Sequence, residues 1–241
     1  MFCEINGIPF KLPLVMVGSS PWAGSGQFGN NASVYRKKFL RKVDAMLEIM
    51  EATYEAGARG FHGVPIGKMG DAAKIMVETH DDYVVVGSCF PEPNSMLEEV
   101  IAMDPKIIFL HASISDKKNS DFLKMVDEVS SRGFIPGIAV HNPVPTLKFS
   151  LENAKDVNCF LVPFNARGFM MGKRKELEAL VDNNKDKAFF GMKTLVAGRL
   201  KVEKAYEYIS QHNICSVVIG QVDVEEAKAS TKVALDALQN K

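Results

Sequence analysis

Short apolar runs recur along the chain at 14–17, 58–61, 83–86, 106–110, 134–140, 158–162, 188–191 and 214–219, and almost none alternates with polar residues. A strand buried on both faces reads this way, as in a parallel sheet covered by helices. Between the runs the period lengthens. Residues 34–56 place Phe39, Val43, Met46, Leu47, Met50 and Tyr54 three or four apart and stop at Gly57, which predicts one helix. Ser95, three before Glu98, forms a capping box for a helix over 95–103. Ser120 or Asp121 opens another over 120–132, closed by Gly133, and 202–211 and 223–239 supply the last two. Strand and helix alternating through 241 residues predict a closed (β/α)8 TIM barrel in preference to an open doubly wound sheet. Residues 2–12 read as an N-terminal β-hairpin, Asn6-Gly7 offering the positive φ values of a type I′ turn. Placed across the barrel bottom, that hairpin would cover core side chains.

Composition narrows the class. With 46% hydrophobic residues and no Pro/Ser-rich stretch or charge block, 1–241 reads as a single barrel domain. The 29 basic residues balance 29 acidic ones, so no general attraction to nucleic acid or an anionic membrane is expected. No apolar run approaches about 18 residues and no charged leader precedes one, which points to a cytoplasmic protein. Cys3, Cys89, Cys159 and Cys215 show no CxxC spacing, so reduced thiols are expected rather than a zinc ribbon or iron–sulfur cassette. Nothing in the sequence decides between a monomer and a homo-oligomer.

The candidate chemistry lies at strand ends. His62, His111 and His141 each fall one or two residues past an apolar run, where the side chains of a barrel converge on one mouth. They are candidate catalytic acid/base groups. Together with Cys89 or Glu92 they are also candidate ligands for zinc or another divalent transition metal. For any one of them the plainer role is a hydrogen-bonded histidine, and only their joint placement argues for a shared polar site. His80 and His212 precede strands and read as surface residues. Lys193, after the run FFGM, is a candidate electrophile, base or Schiff-base former, or more simply a cationic anchor. Asn165 and Arg167 fit a site for an anionic substrate, and Arg199 a site for an anion. The Gly-rich stretch 18–33 reads as a mobile loop over the mouth, with Trp22 as apolar flap and Gln27 as polar contact. GFMMGK at 168–173 reads as a second flap or as core filler.

MEATYEAGARGFH, IIFLH, IPGIAVHNP, LVPFNARG, FFGMKTLVAGRL and SVVIGQVDVEEAKAS, with the N-terminal hairpin, resemble the corresponding segments of the aldo/keto reductase superfamily over almost the whole chain. The resemblance implies a TIM barrel that reduces carbonyls with NAD(P). It also implies an Asp and a Tyr after the second strand, a Lys on the third and a His on the fourth. Here only His111 matches: His62 stands for the Asp, GVPIGKMG has no Tyr, and Ser88 or Cys89 stands for the Lys. The chain thus lacks most of the family's catalytic tetrad, and ordinary NADPH-dependent reduction is disfavoured. At the cofactor end, Gly220 and Gln221 lead through Asp223 into Glu225 and Glu226, whose charges oppose a 2′-phosphate. The helix start there offers free N–H groups to a phosphate, although acidic residues at such a position also serve as dipole complements. The sequence therefore predicts an enzyme acting on a small anionic metabolite through strand-end histidines. The alternatives are an NAD(P)-dependent reductase-like oxidoreductase and a non-catalytic small-ligand binder.

Overall fold

The computed structural model describes residues 1–90 and 96–241. Its first two strands, Phe2–Cys3 (β1) and Leu12–Pro13 (β2), pair antiparallel. Eight parallel strands follow: Val15–Gly18 (β3), Gly60–Gly63 (β4), Val84–Cys89 (β5), Ile107–Leu110 (β6), Ile135–Ala139 (β7), Cys159–Pro163 (β8), Ala188–Met192 (β9) and Ser216–Gly220 (β10). They close into a barrel in the order β10-β3-β4-β5-β6-β7-β8-β9, the seam pairing Val217 with Val15 and Gly220 with Gly18. The fold class is the one expected, and each strand overlaps its apolar run, β5 extending three residues beyond its run to Cys89.

Helices cover the outside: Asn31–Phe39 (α1), Val43–Glu55 (α2), Met69–Thr79 (α3), Leu97–Ile101 (α4), Ala112–Ser115 (α5), Ser120–Ser131 (α6), Pro143–Asn153 (α7), Arg174–Asn183 (α8), Val202–Ile209 (α9) and Val224–Gln239 (α10). The single helix expected over 34–56 is broken at Leu40–Lys42. There the Leu40 carbonyl accepts from Lys68 N at 2.8 Å, a bond that leaves the helical ladder. Gly67, at φ 62°, lets the second βα loop come that close, because a Cβ at Gly67 would collide with the Leu40 carbonyl. α6 is capped one residue earlier than expected, by Asn119, whose side chain accepts from Phe122 N at 3.0 Å. The Ser95 capping box falls outside the described residues.

Strand alternation divides the barrel. Met16, Val84, Val86, Phe109, Ala139, Leu161, Phe190 and Val218 fill the interior, while the alternate residues pack on the helices. Ile8 and Leu12 complete the interior cluster, with Cys3, Ile5 and Phe10 packed against it. The N-terminal segment therefore covers the end where the strands begin. Its turn differs from the expected type: Ile8 N bonds Ile5 O at 3.1 Å and Gly7 has φ 83°, but Asn6 does not have positive φ, as a type I′ turn would require. The ladder is two residues long on each arm, and 4–11 form a wide loop between them.

Candidate active site

At the opposite end of the barrel, where strands hand over to helices, three histidines line one cavity of about 330 Å³. His62 belongs to β4 itself and is 9% exposed, with Nε2 2.8 Å from Ser88 Oγ on β5. His111 follows β6 directly and caps α5. Its Nδ1 accepts from Ser113 N at 3.2 Å and lies 2.8 Å from Ser113 Oγ. A backbone N–H is always a donor, so Nδ1 is unprotonated and the neutral ring carries its hydrogen on Nε2. His141 stands two residues beyond β7, its ring perpendicular to that of His111 at a centroid distance of 5.3 Å. Its loop is fixed by Asp116, whose carboxylate accepts from His141 N and Asn142 N at 3.0 Å and from Thr146 Oγ1 at 2.7 Å.

Burial governs the protonation of all three. Both His62 and His111 lie at about 4, His62 through desolvation and His111 through desolvation together with His141, His62 and Lys193. His141 is lowered by the same burial and by Lys193. At neutral pH these rings are uncharged and act as hydrogen-bond partners, not as imidazolium acids.

The expected metal set does not assemble. Among the described residues no three His, Cys, Asp or Glu side chains come together as a metal-binding group. On β5 the alternation turns Ser88 inward and Cys89 outward into the apolar layer beneath the helices, where burial pushes its thiol up to about 12. Glu92 lies outside the described residues.

A second cavity of about 270 Å³ runs along β3, β9 and β10 and shares Ser20, Gln27, His62, Leu161, Met192 and Lys193 with the first. Lys193 stands at the end of β9 with φ 58°, a conformation a side-chain-bearing residue adopts at a cost. Its ammonium donates to Gln27 Oε1 at 3.1 Å, and burial lowers it from the usual ammonium range. Val196, Ala197 and Gly198 are also left-handed, so the 193–199 turn folds back on itself along the groove. Arg199 is exposed, and its Nη2 donates to Gln27 O at 3.3 Å.

Gly220 and Gln221 form the groove wall, but the Gln221 amide nitrogen is directed at α10, donating to Ala227 O, Ser230 Oγ and Thr231 Oγ1. The α10 start is not a free phosphate site. Asp223 Oδ1 already accepts from Glu225 N and Glu226 N, each at 3.0 Å. Glu226 lines the groove.

Other expected site residues lie elsewhere. Trp22 is no flap: it is fully buried between Phe39 and Phe61, ring centroids 5.4 and 5.6 Å away, and donates to Gln221 O at 2.8 Å. Asn165 uses its amide within its own loop, donating to Phe169 O and accepting from Phe169 N, and lines neither cavity. Arg167 is exposed and also lines neither. In the 168–173 segment, Met170 lines the histidine cavity while Met171 is buried. His80 and His212 are half-buried and paired with Glu51 and Asp182. The residues missed from sequence are Ser113, which partners His111, and Phe28, Tyr35 and Thr194 in the groove. Of Ser88 and Cys89, between which the sequence left the choice open, the register turns Ser88 inward, two positions beyond inward-facing Val86.

No protein-family model matches the chain, and no curated protein sequence matches it. Solved structures do. A putative aldo-keto reductase from Pseudomonas aeruginosa superposes with a TM-score of 0.74 at 11% identity, over 99% of this chain and 95% of that one. An aldo-keto reductase from Bacillus halodurans, in its holo form, gives 0.66 at 10% identity over 99% and 95%. An aldo/keto reductase from Klebsiella pneumoniae in complex with NADP and acetate gives 0.63 at 11% identity over 95% and 88%. The chain has the barrel fold of the aldo-keto reductases.

Proposed function

We propose that this protein is an oxidoreductase acting on a small anionic carbonyl compound or the corresponding alcohol, with a nicotinamide dinucleotide lacking the 2′-phosphate in the groove. The observation that carries this reading is Lys193, a partly buried ammonium on the wall shared by both cavities, partnered among the described residues by a neutral amide and not by a carboxylate. A desolvated cation in that position is stabilised most by an anion from outside.

The donor set fits an extended nucleotide. Ser20, Thr194, the left-handed turn at 196–198, Phe28 and Tyr35 line the groove, polar and aromatic by turns. Glu226 sets a negative charge among them, which favours a cofactor without a 2′-phosphate. Such a dinucleotide supplies the hydride when bound. In the adjoining cavity the Nε2–H of neutral His111 faces a carbonyl oxygen and stabilises the charge that develops on it. Lys193 holds the anionic group of the substrate and, with its lowered pKa, is the cationic acid of the pocket. His62, tied to Ser88, keeps that wall polar but uncharged.

Calorimetric titration with NADH and NADPH, followed by turnover of glyoxylate and pyruvate with stereospecifically deuterated NADH, tests the reading. NADH is expected to bind at least tenfold more tightly than NADPH, with transfer from one face only. His111→Ala and Lys193→Met should each lower turnover by about a hundredfold or more, the loss associated with a missing oxyanion donor. Absence of binding by either dinucleotide at millimolar concentration would overturn it.

A further inference from the structure

At the closed end of the barrel, remote from both cavities, three of the four cysteines converge although they lie far apart in sequence. Cys159 opens β8, Cys215 immediately precedes β10, and Cys3 belongs to β1 of the N-terminal plug. Cys3 and Cys215 pack on the same interior cluster, to which Cys159 belongs. Cys3 Sγ donates to the Cys215 carbonyl oxygen at 3.3 Å, which holds the β1 cysteine against the residue that precedes β10. The ammonium of Lys241 sits beside them, donating to Ile214 O at 2.9 Å.

The pair is asymmetric. The neighbouring Cys215 thiol and the Lys241 charge lower the Cys3 thiol, while the Cys3 thiol and burial raise that of Cys215. Cys3 is thus the first of the two to ionise, by giving up the proton it donates to the Cys215 carbonyl. Cys89 and Cys159 are fully buried, their thiols pushed up to about 12. Both are inert by comparison. Cys3 and Cys215 are each less buried than these two.

We propose that Cys3 and Cys215 form a hydroperoxide-reactive dithiol that closes to a disulfide and fastens the N-terminal plug to the start of β10. With hydrogen peroxide, the Cys3 thiolate attacks one oxygen. An S–O bond forms, the O–O bond breaks, and the departing hydroxide takes up a proton to leave as water. Cys215 sulfur then attacks the sulfenic sulfur of Cys3. The S–S bond forms, the S–O bond breaks, and the hydroxyl leaves as a second water with the Cys215 proton. Two thiols are oxidised by two electrons in total and one peroxide is reduced to two waters. The bond would join residues 212 positions apart and so restrict the unfolded chain strongly.

The test treats the reduced full-length protein with a small excess of hydrogen peroxide, blocks remaining thiols with N-ethylmaleimide and maps peptides without reduction. Expected are loss of half of the four thiols, a Cys3–Cys215 cross-linked peptide, faster non-reducing electrophoresis and a thermal midpoint raised by several degrees, all reversed by dithiothreitol. Cys3→Ser and Cys215→Ser should each abolish the cross-link, while Cys89→Ser leaves it intact. A Cys3–Cys159 link, an intermolecular link, over-oxidation of Cys3 with Cys215 still free, or four intact thiols would each overturn the proposal. The mapping uses the unsubstituted chain, so poor folding of a variant does not spare it.

Discussion

The histidines of the mouth are held neutral by burial, and that has a signed consequence for stability. His62 falls from its ordinary 6.5 to about 4 on folding, so between those values the unfolded chain binds more protons than the folded one. Stability from this residue is complete above pH 6.5, erodes as the pH drops and is exhausted near 4. The drop is worth about 3 kcal/mol at about 1.4 kcal/mol per pH unit. Circular-dichroism melts from pH 8 to 4 should show a fall in melting temperature that is clearly shallower in His62→Gln; identical slopes would refute the assignment. Lys193 makes the opposite trade. Its partly buried charge has no carboxylate partner among the described residues, so Lys193→Met should leave unfolding free energy unchanged or raise it by about 1 kcal/mol. The same variant should weaken binding of oxalate, used as a small dianion, by tenfold or more in calorimetry. All three histidines were legible in sequence because a strand end is marked by where apolar runs stop, although His62 lies on β4 itself. Cys89 was not. Which side of a strand faces inward depends on register, and a shift of one residue exchanges the cavity for the wall.

Elements here are set by bonds that cross between loops, and these are the parts the sequence conceals. The α1–α2 break depends on Lys68 reaching the Leu40 carbonyl, a contact made from a different βα unit. Nothing local in 34–56 reveals it. Asn165 is similar: an amide at a strand end looks like a substrate contact until Phe169 is seen to satisfy it. Asp116 was passed over because its three partners lie 25 to 30 residues away. It ties the His141 loop and the first turn of α7 to α5, so Asp116→Ala should cost about 2–3 kcal/mol in urea unfolding, read as a shifted midpoint with unchanged slope. Asp223, as the cap of α10, should cost about 1 kcal/mol when replaced by Ala. Glu226, in the first turn of the same helix, is the residue on which the proposed cofactor preference rests. Glu226→Gln should narrow the gap between NADH and NADPH affinity without changing stability by more than about 0.5 kcal/mol.

At the scale of the whole molecule, the eight apolar runs were enough to specify the barrel, because each strand is buried on both faces and shows it in composition. The plug was legible as well, though not its turn. Leu12 is fully buried where the plug meets the interior layer, and Leu12→Ala should destabilise by about 3 kcal/mol, measured by denaturant unfolding.

Trp22, misread as a flap because glycines surround it, is the only tryptophan in the chain. It follows the first barrel strand and hydrogen-bonds the residue just after the last one, so its environment is complete only when the two ends of the sheet have met. Its intrinsic fluorescence is therefore a built-in clock for ring closure. In stopped-flow refolding the blue shift of that emission should trail the recovery of helical ellipticity, and the interval between the two signals would time the final step in which a linear array of βα units becomes a circle.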